Sequence, residues 1–164
     1  MPASGRVLSR SYGDAAARSA AERRRTPLVP FDGNFGDTAP VASPFDPRAA
    51  IAENALAFAV RDRFPVSEGH TLVVPRREVA TWFDATREEQ LAILELVDVV
   101  KRGLDERVPK PDGYNVGFNA GAAAGQTVMH LHVHVIPRFL GDVDDPRGGV
   151  RHVIPGKGNY LASG

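Results

Sequence analysis

Hydrophobic and polar positions from residue 45 onward form short runs that are typical of β-strands. Residues 55–60 are apolar, residues 70–75 are β-branched and apolar after His70, and Pro75 ends the second run. Comparable patterns predict strands at residues 113–119 and 129–138, and a weaker pattern predicts a fifth at residues 150–154. The chain is therefore expected to be rich in short strands.

Residues 86–104 have instead the periodicity of an amphipathic helix. Thr86 and Glu89 have the spacing of a capping box, which marks a helix N-terminus. The apolar stripe that follows is formed by Leu91, Leu94, Val97, Val100 and Leu104. One long helix among these strands predicts an α+β fold with a mostly antiparallel sheet.

Residues 1–43 differ in composition from the rest of the chain. Residues 1–25 contain six arginines and two acidic residues, Asp14 and Glu22, so their net charge is 6 − 2 = +4. Prolines follow at positions 27, 30, 40 and 44, without apolar periodicity. We interpret residues 1–43 as an extended, partly disordered arm. Its composition resembles a mitochondrial presequence, but we favour a solvated tail.

Composition limits the classes of function. The 164 residues are close to the roughly 150 of one ordinary domain. Lys plus Arg and Asp plus Glu each number 20, so there is no net charge to attract nucleic acid or anionic lipid. The absence of cysteine excludes disulfides, a thiolate nucleophile and cysteine-ligated metals. No apolar run reaches the ~20 residues of a membrane span, and we expect a cytoplasmic protein without nucleic-acid or membrane partners.

Three of the five histidines lie within residues 130–134. Because side chains alternate along a strand, His130, His132 and His134 are expected on one face, with Leu131 and Val133 on the buried face. Packing alone seldom requires three imidazoles in register. The row therefore indicates a functional site.

Two kinds of chemistry fit this row. Imidazole is a common zinc ligand, but no second histidine or carboxylate cluster completes a metal site. A neutral imidazole can instead attack phosphorus, while its neighbours donate hydrogen bonds to the phosphoryl group. His132 is the natural nucleophile because it has a helper on each side. The small side chains of the preceding loop, residues 121–125, would let backbone N–H groups cradle a phosphate.

The segment 124–138 resembles the His-φ-His-φ-His-φ-φ signature of the histidine triad (HIT) family, where φ is apolar. The resemblance covers residues 44–140 as one domain and leaves residues 141–164 as an extension packing on the domain or on a partner subunit. It implies a HIT-like fold, in which a five-stranded sheet carries one long helix and a shorter one. It further implies a homodimer with joined sheets, and a nucleotide substrate.

The resemblance also implies residue roles. His132 would attack the α-phosphorus, with His130 and His134 assisting at the phosphate and the leaving group. His70 matches a histidine beside the triad, and Asp62 matches the residue that holds the ribose hydroxyls. The other matched positions are Asn119, Gln126 and Thr127, which would contact phosphate or the leaving group, and Val60 and Phe45, which would line the base pocket.

The sequence departs from relatives at two points. Many bacterial relatives carry a zinc-binding Cys-x-x-Cys where this chain has Ser43-Pro-Phe-Asp46, so no structural zinc is expected. The third triad position is His134, not the glutamine of the nucleotidyltransferase and phosphorylase branches, which favours water as the final acceptor. In the C-terminal extension, Arg147 and Arg151 would reach distal phosphates or lie in a tail over the partner subunit.

The resemblance thus predicts a hydrolase that releases a nucleoside monophosphate such as AMP from diadenosine tri- or tetraphosphate, through a covalent nucleotidyl-histidine. An adenosine phosphoramidase, which cleaves a P–N bond, would use the same histidine. A nucleotide-binding sensor and a metal-binding protein are alternatives from other classes. No cofactor is required, and Mg²⁺ would enter bound to the polyphosphate.

Overall fold

The computed structural model describes residues 43–161, which form one antiparallel sheet and one long helix. The strands are β1 (Ala52–Glu53), β2 (Ala57–Arg61), β3 (Thr71–Pro75), β4 (Gly113–Gly117) and β5 (Val133–Arg138), and the helix is α1 (Arg87–Asp105). The strand order is β1-β2-β3-β5-β4, and every neighbouring pair is antiparallel. This confirms the predicted α+β class.

Helix α1 covers one face of the sheet and builds the main core. Its capping box is formed as predicted, because Thr86 Oγ1 accepts from the Glu89 amide and the Glu89 carboxylate accepts from the Thr86 amide. The helix buries Ala92, Ile93, Leu96, Val100 and Leu104 against Ala57, Ala59, Val73, Val133 and Val135 of the sheet. This burial removes a large apolar area from water.

The predicted helix stripe was partly wrong. Leu91 and Leu94 are exposed, while Ile93 and Leu96 face the sheet in their place. Both sets have helical spacing, so periodicity alone could not choose between them. The choice depends on which side of the helix the sheet occupies.

The opposite face of the sheet carries a second, smaller cluster. Phe58, Val60, Leu72 and Val74 are buried there, and Phe45 and Ala50 from the segment before β1 pack against them. Because alternate residues of β2 and β3 face opposite sides, the same two strands build the core and support this second face. The candidate site lies on this side.

The fifth strand is β1, not the predicted strand at residues 150–154. Gly148 and Gly149 have φ angles of +96° and +49°, which turn the chain into a 3₁₀ segment at Gly149–Val153. Val150 and Val153 are exposed there, so no sheet burial favours extension. The short helical pieces in residues 43–161 are 3₁₀ turns at Pro47–Ala49, Ala122–Ala124 and Gly149–Val153.

The histidine strand begins later than predicted, at Val133. Pro75, the last residue of β3, has no N–H to donate, and its carbonyl oxygen accepts from the His130 ring. The β3–β5 ladder therefore ends at the Val73–Val133 pair. Leu131 and Val133 nevertheless remain buried, so the predicted alternation holds.

Most of the predicted N-terminal arm, residues 1–42, lies outside the described residues. Within residues 43–161, no helix combines the length and the apolar character that a membrane crossing would need.

Candidate active site

An open cleft of about 440 Å³ lies on the sheet face opposite α1. Its volume is within the ordinary range of small-ligand sites. The segment before β1, the ends of β2 and β3, and the histidine segment enclose it. The lining residues include Phe45, Val60, Asp62, Leu72, Thr127, His132 and His134.

His132 is held with one ring nitrogen directed at the backbone. Its Nδ1 lies 2.7 Å from the carbonyl oxygen of His130. A carbonyl oxygen only accepts, so Nδ1 carries the hydrogen. In the neutral ring Nε2 is then unprotonated and has its lone pair available, as a nucleophile requires.

His130 does not face the cleft with a free nitrogen, in contrast to its expected role at the phosphate. It is 4% exposed, and both ring nitrogens bind protein atoms. Nδ1 lies 2.6 Å from Ser43 Oγ, and Nε2 lies 2.8 Å from the Pro75 carbonyl oxygen. His130 therefore acts on the site through its own carbonyl group, which orients His132.

His70 and His134 form a directly hydrogen-bonded pair. Nε2 of His70 is 2.9 Å from Nδ1 of His134. The Val66 amide donates to Nδ1 of His70 at 3.4 Å, so the His70 hydrogen lies on Nε2 and points to His134. The second nitrogen of His134, Nε2, then carries its hydrogen and is a donor.

Burial keeps both of these rings neutral. It lowers the pKa of His134 to about 4, assisted by charge on the nearby His132 and His70. Burial also lowers the pKa of His70, and the Asp62 carboxylate, 3.3 Å from Nδ1, opposes that change. At neutral pH the pair consequently provides hydrogen bonds without carrying charge.

Four further expected residues line the cleft. Val60 and Phe45 form apolar wall, with the Phe45 ring centroid 5.2 Å from that of His132. Asp62 accepts the Phe64 amide through Oδ1 at 2.8 Å and retains lone pairs toward the cleft. Thr127 is exposed at the cleft edge.

Gln126 is placed differently from expectation. It is 2% exposed, and its amide nitrogen donates to the carbonyl oxygens of Ala80 and Val128. Its Oε1 accepts from the Gly121 amide. Through these bonds the side chain stabilises the loop, and it does not line the cleft.

The loop at residues 121–125, which was predicted to cradle a phosphate, does not line the cleft. The amides of Gly121, Ala124 and Gly125 donate to protein oxygens within the loop region. The residues that reach the cleft are Thr127 and Val128, directly after the loop. The glycines instead supply positive φ angles of +85° and +83° at Gly121 and Gly125.

Asn119 lies in a second cavity of about 730 Å³ on the other side of His134. His70 and His134 line it together with Val150 and Val153 from the C-terminal segment. The two arginines of that segment have local partners: Arg147 pairs with Asp145 at 2.8 Å, and Arg151 donates to Gly158. His134 thus separates two cavities.

The sequence did not predict the contact between Ser43 and His130, because 87 positions separate them. Neither the histidine motif nor the segment Ser43–Asp46 indicates this pairing. The sequence also did not predict Leu72, whose side-chain direction follows only from the register that pairs it with Val60 and His134. Alternation along residues 70–75 would indicate which side chains share a face with Leu72. Because β3 is buried along its whole length, however, the side chains on its two faces differ little in polarity.

Among residues 43–161, one group of side chains has ligand atoms close enough for a metal ion. Asp62, His70 and His134 offer ligand atoms within 4.8 Å of one another. The donor set suits zinc, but the two imidazole nitrogens that face each other are already hydrogen-bonded. Binding a metal there would require this pair to separate.

Known proteins are similar to this chain in sequence and in structure. An AP-4-A phosphorylase from Mycobacterium tuberculosis is 38% identical over 95 residues, covering 57% of this chain and 48% of that protein. An adenosine 5′-monophosphoramidase from Schizosaccharomyces pombe is 38% identical over 92 residues, covering 56% of this chain and 65% of that protein. This chain therefore spans about half the length of the first relative and just under two thirds of the second.

A crystal structure of a zinc-bound histidine triad family protein from Mycobacterium smegmatis has a TM-score of 0.54 and 34% identity to this chain. The match covers 57% of this chain and 68% of that one. The family model of the HIT domain matches residues 45–141, which include the sheet, the helix and the three histidines of the motif. The protein belongs to the HIT family.

Proposed function

We propose that this protein hydrolyses dinucleoside polyphosphates of the diadenosine tri- or tetraphosphate type and releases a nucleoside monophosphate. The observation that carries the proposal is the orientation of His132, whose Nδ1–H donates to the His130 carbonyl and whose Nε2, at the cleft wall, has no hydrogen-bond partner within residues 43–161. Imidazole in this tautomer is a nucleophile at neutral pH without prior loss of a proton.

The reaction has two displacements. In the first, the Nε2 lone pair of His132 attacks the α-phosphorus, the bridging P–O bond breaks, and the nucleoside polyphosphate leaves with the bond electrons. The ring becomes cationic, and the carbonyl oxygen of His130, 2.7 Å from Nδ1, stabilises that charge. In the second, water attacks phosphorus, the P–N bond breaks, and its electron pair returns to Nε2. The product is the monophosphate, and one water proton goes to solvent.

His134 assists as a neutral donor. Its Nε2–H can donate to a phosphoryl oxygen or to the bridging oxygen, where negative charge grows in the transition state. With a pKa of about 4, His134 is seldom an imidazolium at pH 7. A polyphosphate departs as an anion and needs no proton, whereas an amine does, so the site favours P–O cleavage.

The nucleotide would occupy the cleft beside His132. Phe45 and Val60 provide an apolar wall for the base. Asp62 provides carboxylate oxygens for the two ribose hydroxyls, as the family resemblance implies. Thr127, exposed at the cleft edge, would donate to a phosphate oxygen.

A second candidate is the P–N hydrolysis of adenosine phosphoramidates. Its support is the 38% identity over 92 residues to the phosphoramidase from Schizosaccharomyces pombe. The similarity to the phosphorylase raises the related question whether phosphate replaces water as the acceptor. A histidine at position 134 favours water, as argued from the sequence.

The proposed active unit is a homodimer with joined sheets. In the part of the chain that the structure describes, β4 pairs with β5 alone and leaves its other edge open. Open edges invite pairing with another strand, and Val116 exposes apolar surface on β4. Light scattering after gel filtration would test this state.

The function is tested by incubating the protein with diadenosine tetraphosphate, diadenosine triphosphate and adenosine 5′-phosphoramidate, each with and without inorganic phosphate. Chromatography separates AMP, ADP and ATP. AMP from a diadenosine substrate in the wild type, and not in His132→Ala, supports the proposal. AMP from the phosphoramidate alone supports the second candidate, and ADP that requires phosphate indicates a phosphorylase. No turnover with retained AMP binding would favour a sensor.

A further inference from the structure

We propose that Ser43 is a positioning residue for the nucleophile, which it orients through the buried ring of His130. The inference rests on the proposed function, since it concerns the same nucleophilic histidine. Ser43 precedes the pocket residue Phe45 and lies 87 positions from His130. Its hydroxyl oxygen is 2.6 Å from Nδ1 of that ring.

The direction of each hydrogen bond follows from the partners. The Pro75 carbonyl oxygen only accepts, so Nε2 of His130 must donate to it. In a neutral ring Nδ1 then accepts, and the Ser43 hydroxyl is its donor. The hydroxyl oxygen itself accepts from the Phe45 amide at 3.3 Å. Every polar atom in this chain of bonds has one consistent role.

These bonds fix the His130 residue at both ends of its ring. Ser43 and Pro75 hold it from opposite sides, and the Phe45 ring packs against it with centroids 5.7 Å apart. The backbone carbonyl of the same residue accepts the Nδ1–H of His132. If the ring shifts, this carbonyl turns, and His132 loses the partner that selects its Nδ1–H tautomer.

Free imidazole prefers no single tautomer strongly enough to guarantee a nucleophilic Nε2, so the protein must make the selection. Ser43 contributes to this selection indirectly: its hydroxyl binds the His130 ring, and the His130 carbonyl binds Nδ1–H of His132. At the same time Ser43 fixes the start of the segment that carries Phe45 into the cleft. One hydroxyl therefore links the wall of the nucleotide site to the orientation of the nucleophile.

The test compares Ser43→Ala, Ser43→Cys and Ser43→Thr with Arg48→Gln. Arg48 lies in the same segment and forms an ion pair with the exposed Asp46, so its substitution controls for general disturbance of that segment. Turnover of diadenosine tetraphosphate gives kcat and KM. Two-dimensional ¹H–¹⁵N spectra of the imidazoles above pH 7.5 report which nitrogen of His132 carries the hydrogen. Circular dichroism establishes that each variant is folded.

We expect the wild type to hold His132 as the Nδ1–H tautomer. In Ser43→Ala, kcat should fall about ten-fold, as for loss of one buried hydrogen bond, with a smaller change in KM. The His132 tautomer should shift toward Nε2–H. Ser43→Thr should restore both, and Arg48→Gln should match the wild type. Ser43→Cys, a near-isosteric and weaker donor, gives the same comparison if the alanine variant does not fold.

Three results would overturn the inference: wild-type kcat and tautomer in both Ser43→Ala and Ser43→Cys, failure of Ser43→Thr to restore either, or an equal loss in Arg48→Gln. Failure of the proposed function is distinct, because the wild type itself would then turn over none of the substrates. Even in that case the tautomer shift in the spectra would decide whether Ser43 orients His132.

Discussion

Nε2 of His70 lies 2.9 Å from Nδ1 of His134, so the imidazole directly before β3 and an imidazole of the neighbouring strand β5 share one hydrogen bond beside the cleft. The contact requires at least one ring to be neutral, because each nitrogen of a doubly protonated ring is a donor. Burial favours the neutral form of both. Acid is therefore expected to break this pair.

Stability should fall between about pH 6.5 and pH 4. The pKa of His134 is about 4 in the folded protein, against an ordinary value of 6.5, so in this window the unfolded chain binds more protons. More protons on the unfolded chain mean that stability rises with pH and is lost on acidification. Urea unfolding at pH 7.5, 6.5, 5.5 and 4.5 measures this dependence.

His134→Gln provides the control, since glutamine keeps a polar side chain without a titrating ring. The variant should show a flatter dependence over that window. The paired carboxylates of Asp142 and Asp145, with pKa values of about 2, lose their contribution only below about pH 4 and do not confuse the result. Equal slopes in the two proteins would contradict the assignment.

Asp62→Ala should weaken AMP binding by about ten- to a hundred-fold, the range for hydrogen bonds to a charged group. The reason is loss of the carboxylate proposed to hold the ribose hydroxyls. Isothermal titration with AMP and with its 2′,3′-dideoxy analogue separates this effect from general damage. The analogue should bind the wild type and the variant with the same affinity. An equal loss of affinity for AMP and for the analogue would contradict a role of Asp62 in holding the ribose hydroxyls.

Gln126→Ala should lower stability more than it raises KM. The variant removes three hydrogen bonds from a buried side chain and leaves the Gly121 amide and two carbonyl oxygens to find other partners. The expected cost is about 2–4 kcal/mol of unfolding free energy, since each unsatisfied buried group costs about 1–3 kcal/mol. Chemical denaturation beside steady-state kinetics gives both quantities. A raised KM with unchanged stability would instead support direct contact of Gln126 with phosphate or the leaving group, as the resemblance implied.

The glycines at positions 69 and 103 should respond in opposite directions to alanine. Gly69 has a φ of +88°, and a Cβ there would lie 2.7 Å from the Leu104 side chain, so Gly69→Ala should destabilise by about 1–3 kcal/mol. Gly103, inside α1, has open space around a Cβ, and Gly103→Ala should stabilise by about 0.5–1 kcal/mol. Thermal melts of both variants measure the difference. Similar shifts would contradict the loop geometry that precedes His70.

The sequence predicted most of the fold because its strongest signals are local. The capping box of Thr86 and Glu89 and the alternation through Leu131 and Val133 each follow from a few adjacent residues. Strand β1, only two residues long, has no such signal and depends on its pairing with β2. The strand predicted at residues 150–154 failed because two adjacent glycines decided the backbone there.

The candidate site was predictable in its chemistry and less so in its contacts. His132, His134, His70, Asp62, Val60 and Thr127 all lie at or beside the cleft, as the resemblance implied. His130 bonds to Ser43 and Pro75, and one of the three bonds of Gln126 goes to Ala80, all far away along the chain. A sequence motif names the residue but does not say which partners use its polar atoms.

The proposed mechanism requires a covalent bond between Nε2 of His132 and the α-phosphorus. The most direct measurement is rapid acid-free quenching of the protein with diadenosine tetraphosphate, followed by mass spectrometry of the intact chain and of its peptides. We expect a transient adenylate on the peptide that contains His132, formed within one turnover and absent from His132→Ala. Steady turnover without any adduct, or an adduct that persists in His132→Ala, would contradict it.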